Sequence, residues 1–143
     1  MNISLLCSDP RHPVNAWLER WAASMAEKHH IEILQSRDEL KGGDFLFLVS
    51  CSEMIPHQYR SQFRHTLVLH ASDLPNGRGW SPHVWELVSG ADYITLSLLE
   101  ADDKVDSGRI WLKRRIPVSG TALWYEVNAL LFDAEIALIN EAV

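Results

Sequence analysis

The chain has 143 residues, 47% of them hydrophobic, which is enough for one domain with a sizeable core. Its 13 Lys and Arg stand against 19 Asp and Glu, a formal charge of −6, and that acidic balance excludes a nucleic-acid partner whose affinity comes from neutralising many phosphates. No apolar run approaches the roughly 18 residues of a membrane span, and "MNISLLCSDPRHP" has no basic segment followed by a long apolar core, so a cytoplasmic protein without a membrane partner is expected.

In chain order, "NISLLCS" reads as a strand stopped by Asp9-Pro10. "PVNAWLERWAASMAEKHH" follows as a helix, with Val14, Trp17, Leu18, Trp21, Ala22 and Met25 at helical spacing. His29-His30 is expected to end that helix near solvent, where positive charge suits a helix C-terminus. "IEILQS" alternates like a strand, "RDELKGGD" reads as a turn with one helical turn, and "FLFLVS" is a continuous apolar strand covered on both faces. "PHQYRSQFR" is a short helix and "TLVLHAS" another buried strand. "SPHVWELVSG" is a helix with Ser81 at its N-cap, Pro82 at N1 and Gly90 past its end. "YITLSLLEA" and "RIWLKRRIPV" are strands separated by "DDKVDSG", and "TALWYEVNALLFDAEIALINEAV" is a closing helix with Thr121 as its cap. Its apolar positions are Leu123, Val127, Leu130, Leu131, Ala134, Ile136 and Leu138, and any part of that stripe left exposed would suit a homodimer contact.

The alternation predicts an α/β fold, a mainly parallel Rossmann-like sheet flanked by helices, ending in a strand pair and a closing helix, all in a single domain over 1–143. Cys7 and Cys51 lie in apolar runs without metal-site spacing or a secreted disulfide pattern, so both read as reduced, buried thiols. The seven histidines show no zinc-ligand spacing, and no metal is expected.

Ligands of open α/β sheets sit beyond the carboxyl ends of the strands, which is where "TLVLH" places His70. Asp106 lies in the later loop, and a carboxylate brought near an imidazole fixes its tautomer and favours its protonated form. Read alone, a strand-end histidine is more often a hydrogen-bonded structural residue than a proton carrier, and Asp106 by itself could equally brace its loop.

The order of motifs adds to this reading. Leu69-His70, Ser72-Asp73-Leu74-Pro75, Arg78-Gly79, Ser81-Pro82 and Asp106-Ser107-Gly108 follow one another within a region from about Asp44 to Val118. That succession resembles the N-terminal domain of the folate-dependent formyltransferases, with the short sugar N-formyltransferase-like proteins of bacterial surface-sugar pathways most similar. The resemblance implies transfer of a formyl group from N10-formyltetrahydrofolate to an amine. His70 would handle the proton and Asp106 would tune it, with donors needed for a developing oxyanion. It implies a folate pocket from Glu53, Met54 and Ile55 together with Asp102, Asp103, Lys104, Val105 and Asp106, and an acceptor loop bearing Ser72, Asn76, Arg78, Trp80 and His83.

One position departs from the family pattern: its asparagine two residues before the histidine is Val68 here. Valine cannot donate to an oxyanion, and loss of one such donor typically costs on the order of 100-fold in rate. Two readings therefore stand, a small-molecule N-formyltransferase and a formyltransferase-like binding or scaffold protein whose chemistry has decayed. The tRNA-directed members carry a further C-terminal domain and basic surface, so the expected acceptor is a small amine, an amino sugar or nucleotide-linked amino sugar. Arg78 would meet a phosphate or carboxylate, and Trp80 would stack on a sugar or base.

Overall fold

The computed structural model describes residues 1–78 and 81–143. These divide into two units, Met1–Val68 together with Val143, and Leu69–Ala142.

The first unit holds β1 (Asn2–Leu6), α1 (Asn15–Met25), β2 (His30–Leu34), a 3-10 turn (Arg37–Glu39), β3 (Gly43–Leu48), α2 (His57–Arg60) and β4 (Phe63–His70), whose last two residues belong to the second. Its strands run in the order β2-β1-β3-β4, all parallel, with Ile3 opposite Phe45, Leu5 opposite Phe47 and Phe47 opposite Leu67. The unbroken apolar runs are the reason: Ile3, Leu5, Leu6, Phe45, Leu46, Phe47 and Leu48 are all buried, as strands covered on both faces require. α1 buries Leu18 and Trp21, while Trp17 stays partly exposed beneath the Arg20 guanidinium, 4.7 Å from its ring centre.

The second unit contains the end of β4, α3 (Pro82–Val88), β5 (Tyr93–Glu100), β6 (Ile110–Pro117) and α4 (Trp124–Ala142). β5 and β6 are antiparallel, from Tyr93 opposite Pro117 to Leu99 opposite Ile110, with an irregularity between Leu98 and Leu99. Ile94 through Leu99 are buried without interruption. The parallel strands, the strand pair and the closing helix are those expected from the alternation of the sequence. No helix of the described residues is long and apolar enough to cross a membrane.

Local details differ from the sequence expectations. α1 ends at Met25, and His30 opens β2 because its register opposite Asn2 recruits it into the sheet. β2 is half-exposed throughout its Ile31–Leu34 run rather than alternating, as suits a strand at the edge of the order. Ser81 precedes α3 in a left-handed conformation, φ 46°, and its hydroxyl caps nothing. Thr121 does not cap α4 either: the Glu126 carboxylate accepts from the Leu123 N–H at 2.9 Å, while Thr121 pairs with Ser119. Along α4 the buried residues are Val127, Leu131, Phe132, Ala134, Glu135, Leu138 and Ile139, whereas Leu123 and Leu130 are exposed. Cys7 is buried, but Cys51 is only half-buried, its thiol facing the Glu53 carbonyl and pushed up in pKa chiefly by burial.

Candidate functional site

β4 runs buried to its last residue, so its carboxyl end delivers His70 into the second unit with its side chain only 10% exposed. The chain then turns back on itself. The Ser72 N–H donates to the His70 carbonyl, and the Ser72 carbonyl accepts from the buried Ser97 hydroxyl on β5 at 2.8 Å. Five residues later the Gly77 carbonyl lies 2.7 Å from His70 Nε2. A carbonyl can only accept, so Nε2 carries a hydrogen directed at it. Gly77 adopts φ +68°, and a Cβ there would meet the Ser72 Cβ at 2.8 Å, so glycine is required for this close turn.

The loop between β5 and β6 delivers the second group. Asp106 has φ 53°, a left-handed strain of about 1–3 kcal/mol for a non-glycine residue. Its Oδ2 sits 3.6 Å from His70 Nε2, and its side chain is 7% exposed. Two residues on, a Cβ at Gly108 would lie 1.8 Å from the Glu100 carbonyl oxygen, so only glycine lets the loop close on β5. The Glu100 carboxylate reinforces that closure by accepting from Trp111 Nε1 at 2.9 Å and Arg109 Nη2 at 2.8 Å. The His70–Asp106 pairing thus joins the end of β4 to the β5–β6 loop, with both side chains largely buried.

The other residues singled out from sequence fall in several environments. In the first unit, Met54 is 54% exposed and Ile55 is buried at 6%, so Ile55 anchors its loop instead of presenting its side chain. The Glu53 carboxylate accepts from the Arg37 N–H at 3.2 Å, and Arg37 Nη1 donates to the Met54 carbonyl at 2.9 Å. In the second unit, Asp102, Asp103, Lys104 and Val105 are exposed, and the loop braces itself through Asp102 Oδ1 with the Asp103 N–H and the Ser107 hydroxyl with the Lys104 carbonyl. Asn76 and Arg78 are exposed. Ser72 is completely buried, its hydroxyl without a hydrogen-bond partner, which places it inside the loop and not on a face a substrate could touch. Trp80 lies outside the described residues.

Two residues, Lys113 and Trp124, show no sign in the sequence of where the fold places them, whereas His83 is already among the acceptor-loop residues that the resemblance implies. Lys113 on β6 donates to the Asp73 carboxylate and, at 2.8 Å, to the Leu74 carbonyl, tying down the turn that follows His70. Its position in the charged run "LKRR" carried no sign of that role. His83 is buried on α3 with its Nδ1 unpartnered, and its pKa is lowered first by burial and then by His70. Trp124, at the start of α4, stacks on His83 with 6.4 Å between ring centres. Among the described residues no group of three His, Cys, Asp or Glu side chains could hold a metal ion.

Comparison with known proteins bears on the family and the fold. The formyl transferase family profile matches residues 7–143. The methionyl-tRNA formyltransferase of Sorangium cellulosum is 31% identical over 78 residues, which cover 54% of this chain and 25% of that protein. This chain therefore spans about a quarter of the length of that curated relative. Among solved structures, the methionyl-tRNA formyltransferase from Clostridium thermocellum superposes with a TM-score of 0.77 at 24% identity, covering 99% of this chain and 66% of that one. The formyltransferase PseJ from Anoxybacillus kamchatkensis, solved with UDP-4,6-dideoxy-4-formamido-L-AltNAc and tetrahydrofolate, gives 0.68 at 17% identity, covering 97% of this chain and 72% of that one. At these identities the structural likeness speaks for the fold.

Proposed function

The chain belongs to the formyl transferase family, and from that premise we propose that it transfers a formyl group from N10-formyltetrahydrofolate to the amine of a small acceptor, an amino sugar or nucleotide-linked amino sugar. The observation that carries the reading is the buried pairing of His70 with Asp106. With Nε2–H directed at the Gly77 carbonyl, Nδ1 is the basic atom: it takes the proton the amine loses as its nitrogen bonds to the formyl carbon, and that proton goes to N10 of the folate as the formyl–N10 bond breaks. The imidazolium so produced is stabilised by the adjacent Asp106 carboxylate.

The bound folate supplies the formyl carbon. In the second unit its contacts would come from the exposed 102–105 segment, where Val105, 49% exposed, offers apolar surface immediately before Asp106 in the chain. In the first unit Met54, which the resemblance assigns to folate, is exposed and its carbonyl is fixed by Arg37. The acidic balance of the chain and its exposed Arg78 favour a small anionic acceptor over a tRNA. The complex recorded for PseJ supports the same acceptor class. We further propose that the two units act together as one formyltransferase domain and that it works in the cytoplasm.

A second reading rests on Val68: a folate-binding protein without turnover, because the asparagine of the family pattern is missing. Titration with a folate analogue, then a formyl-transfer assay over amino sugars, nucleotide-linked amino sugars and methionyl-tRNA with His70→Ala as control, separates the two. Turnover of a sugar amine that His70→Ala abolishes supports the first reading. Folate binding without turnover of any acceptor selects the second.

A further inference from the structure

The fold leaves large apolar side chains in solvent at the start of α4, where Leu123, Trp124 and Tyr125 are 53%, 58% and 68% exposed. The helix has its core face elsewhere, through Val127, Leu131, Phe132, Leu138 and Ile139. Single exposed hydrophobic residues need no explanation, but three in succession beside a reactive group do. Trp124 is held in place from one side: its ring lies within 10° of parallel to that of His83. His83 is in turn a buried neighbour of His70, its pKa lowered first by burial and then by His70. The imidazole lies against one side of the indole, and the Trp124 side chain is otherwise more than half exposed. His83 Nδ1 is buried without a partner among the described residues, a polar atom whose desolvation none of them offsets.

We propose that Trp124, backed by His83, is a stacking platform for the flat ring of the acceptor and a specificity-determining residue of the site built on His70. This rests on the formyl-transfer reading given above. The chemistry it recognises is a ring with an apolar or π face, supplied either by the pyranose that bears the amine or by the base of a nucleotide to which that sugar is attached.

The test measures formyl transfer to one amino sugar offered free and offered linked to a nucleoside diphosphate, by wild type, Trp124→Ala, Trp124→Leu and Trp124→Phe. Donor-analogue titration and a thermal melt are run on each. Loss of a stacked ring raises the acceptor KM about 10- to 100-fold in the alanine and leucine variants. The same variants keep kcat within about threefold, since ground state and transition state lose the same contact. Phenylalanine recovers most of the affinity, and donor binding is unchanged. A KM effect on both acceptors identifies the pyranose as the stacked ring, and one confined to the nucleotide-linked acceptor identifies the base. Leucine, which keeps apolar volume without a π face, carries the comparison if alanine melts. An unchanged acceptor KM in a folded leucine variant overturns the platform while leaving formyl transfer standing. Failure of the wild type to transfer formyl to either acceptor overturns both.

Discussion

One nitrogen of His70 meets two acceptors, the Gly77 carbonyl at 2.7 Å and the Asp106 carboxylate at 3.6 Å. Removing the imidazole removes the base, so His70→Ala is expected to lower kcat by about 10²- to 10⁴-fold in a steady-state assay. Asp106→Asn keeps the shape of the side chain and loses the charge, so it should lower kcat with little change in either KM. An equal loss in KM would assign Asp106 to substrate binding instead. Position 68 offers the opposite experiment: Val68→Asn restores the donor of the family pattern at a half-buried site on β4 and is expected to raise kcat by up to about 100-fold. An unchanged rate would mean that another donor already serves. At this scale the sequence was legible where a side chain carries the role, as at His70 and Asp106, because spaced side chains form a pattern. Gly77 contributes a main-chain carbonyl, and Lys113 acts across 40 positions on Asp73. Neither leaves a local trace.

The α4 helix shows what periodicity reveals and what it hides. Leu131, Glu135 and Leu138 fall on one face by 4- and 3-residue steps, so the buried stripe runs through a carboxylate. Glu135 is fully buried with Oε2 unpartnered, and burial raises its pKa from 4.5 to about 8. The native state therefore binds a proton that the unfolded chain releases above pH 4.5. Stability is complete below that pH and falls by about 1.4 kcal/mol for each unit up to the folded value. Glu135→Gln removes the titration, so its melting temperature should exceed that of wild type at pH 8 and converge with it at pH 4.5. Parallel melting curves at the two pH values would contradict the assignment. Caps were less legible than the stripe. Ser81 and Thr121 are good cap residues by composition, yet α3 starts after a left-handed serine and α4 is closed by Glu126. Several nearby polar groups compete for each helix end, and the backbone path selects among them.

For the molecule as a whole, the charge of −6 bears on the acceptor. Transfer to a sugar amine should vary little between 50 and 200 mM salt, because few counterions are released on binding it. Methionyl-tRNA should show no measurable binding at physiological salt in fluorescence anisotropy. Tight, steeply salt-dependent tRNA binding would replace the sugar with tRNA as acceptor. The apolar runs and their alternation with helical spacing determined the α/β architecture by themselves, since a strand covered on both faces must be apolar throughout and an amphipathic helix must show its period. Motif order likewise marked out His70 and Asp106. Only the tertiary structure decided that these two meet, that Gly77 and Gly108 allow the loops to close, that Ser72 is sealed inside, and that Trp124 stacks on His83. Those outcomes depend on long-range contacts, whose geometry is set by how strands and loops pack and is absent from any local stretch of chain.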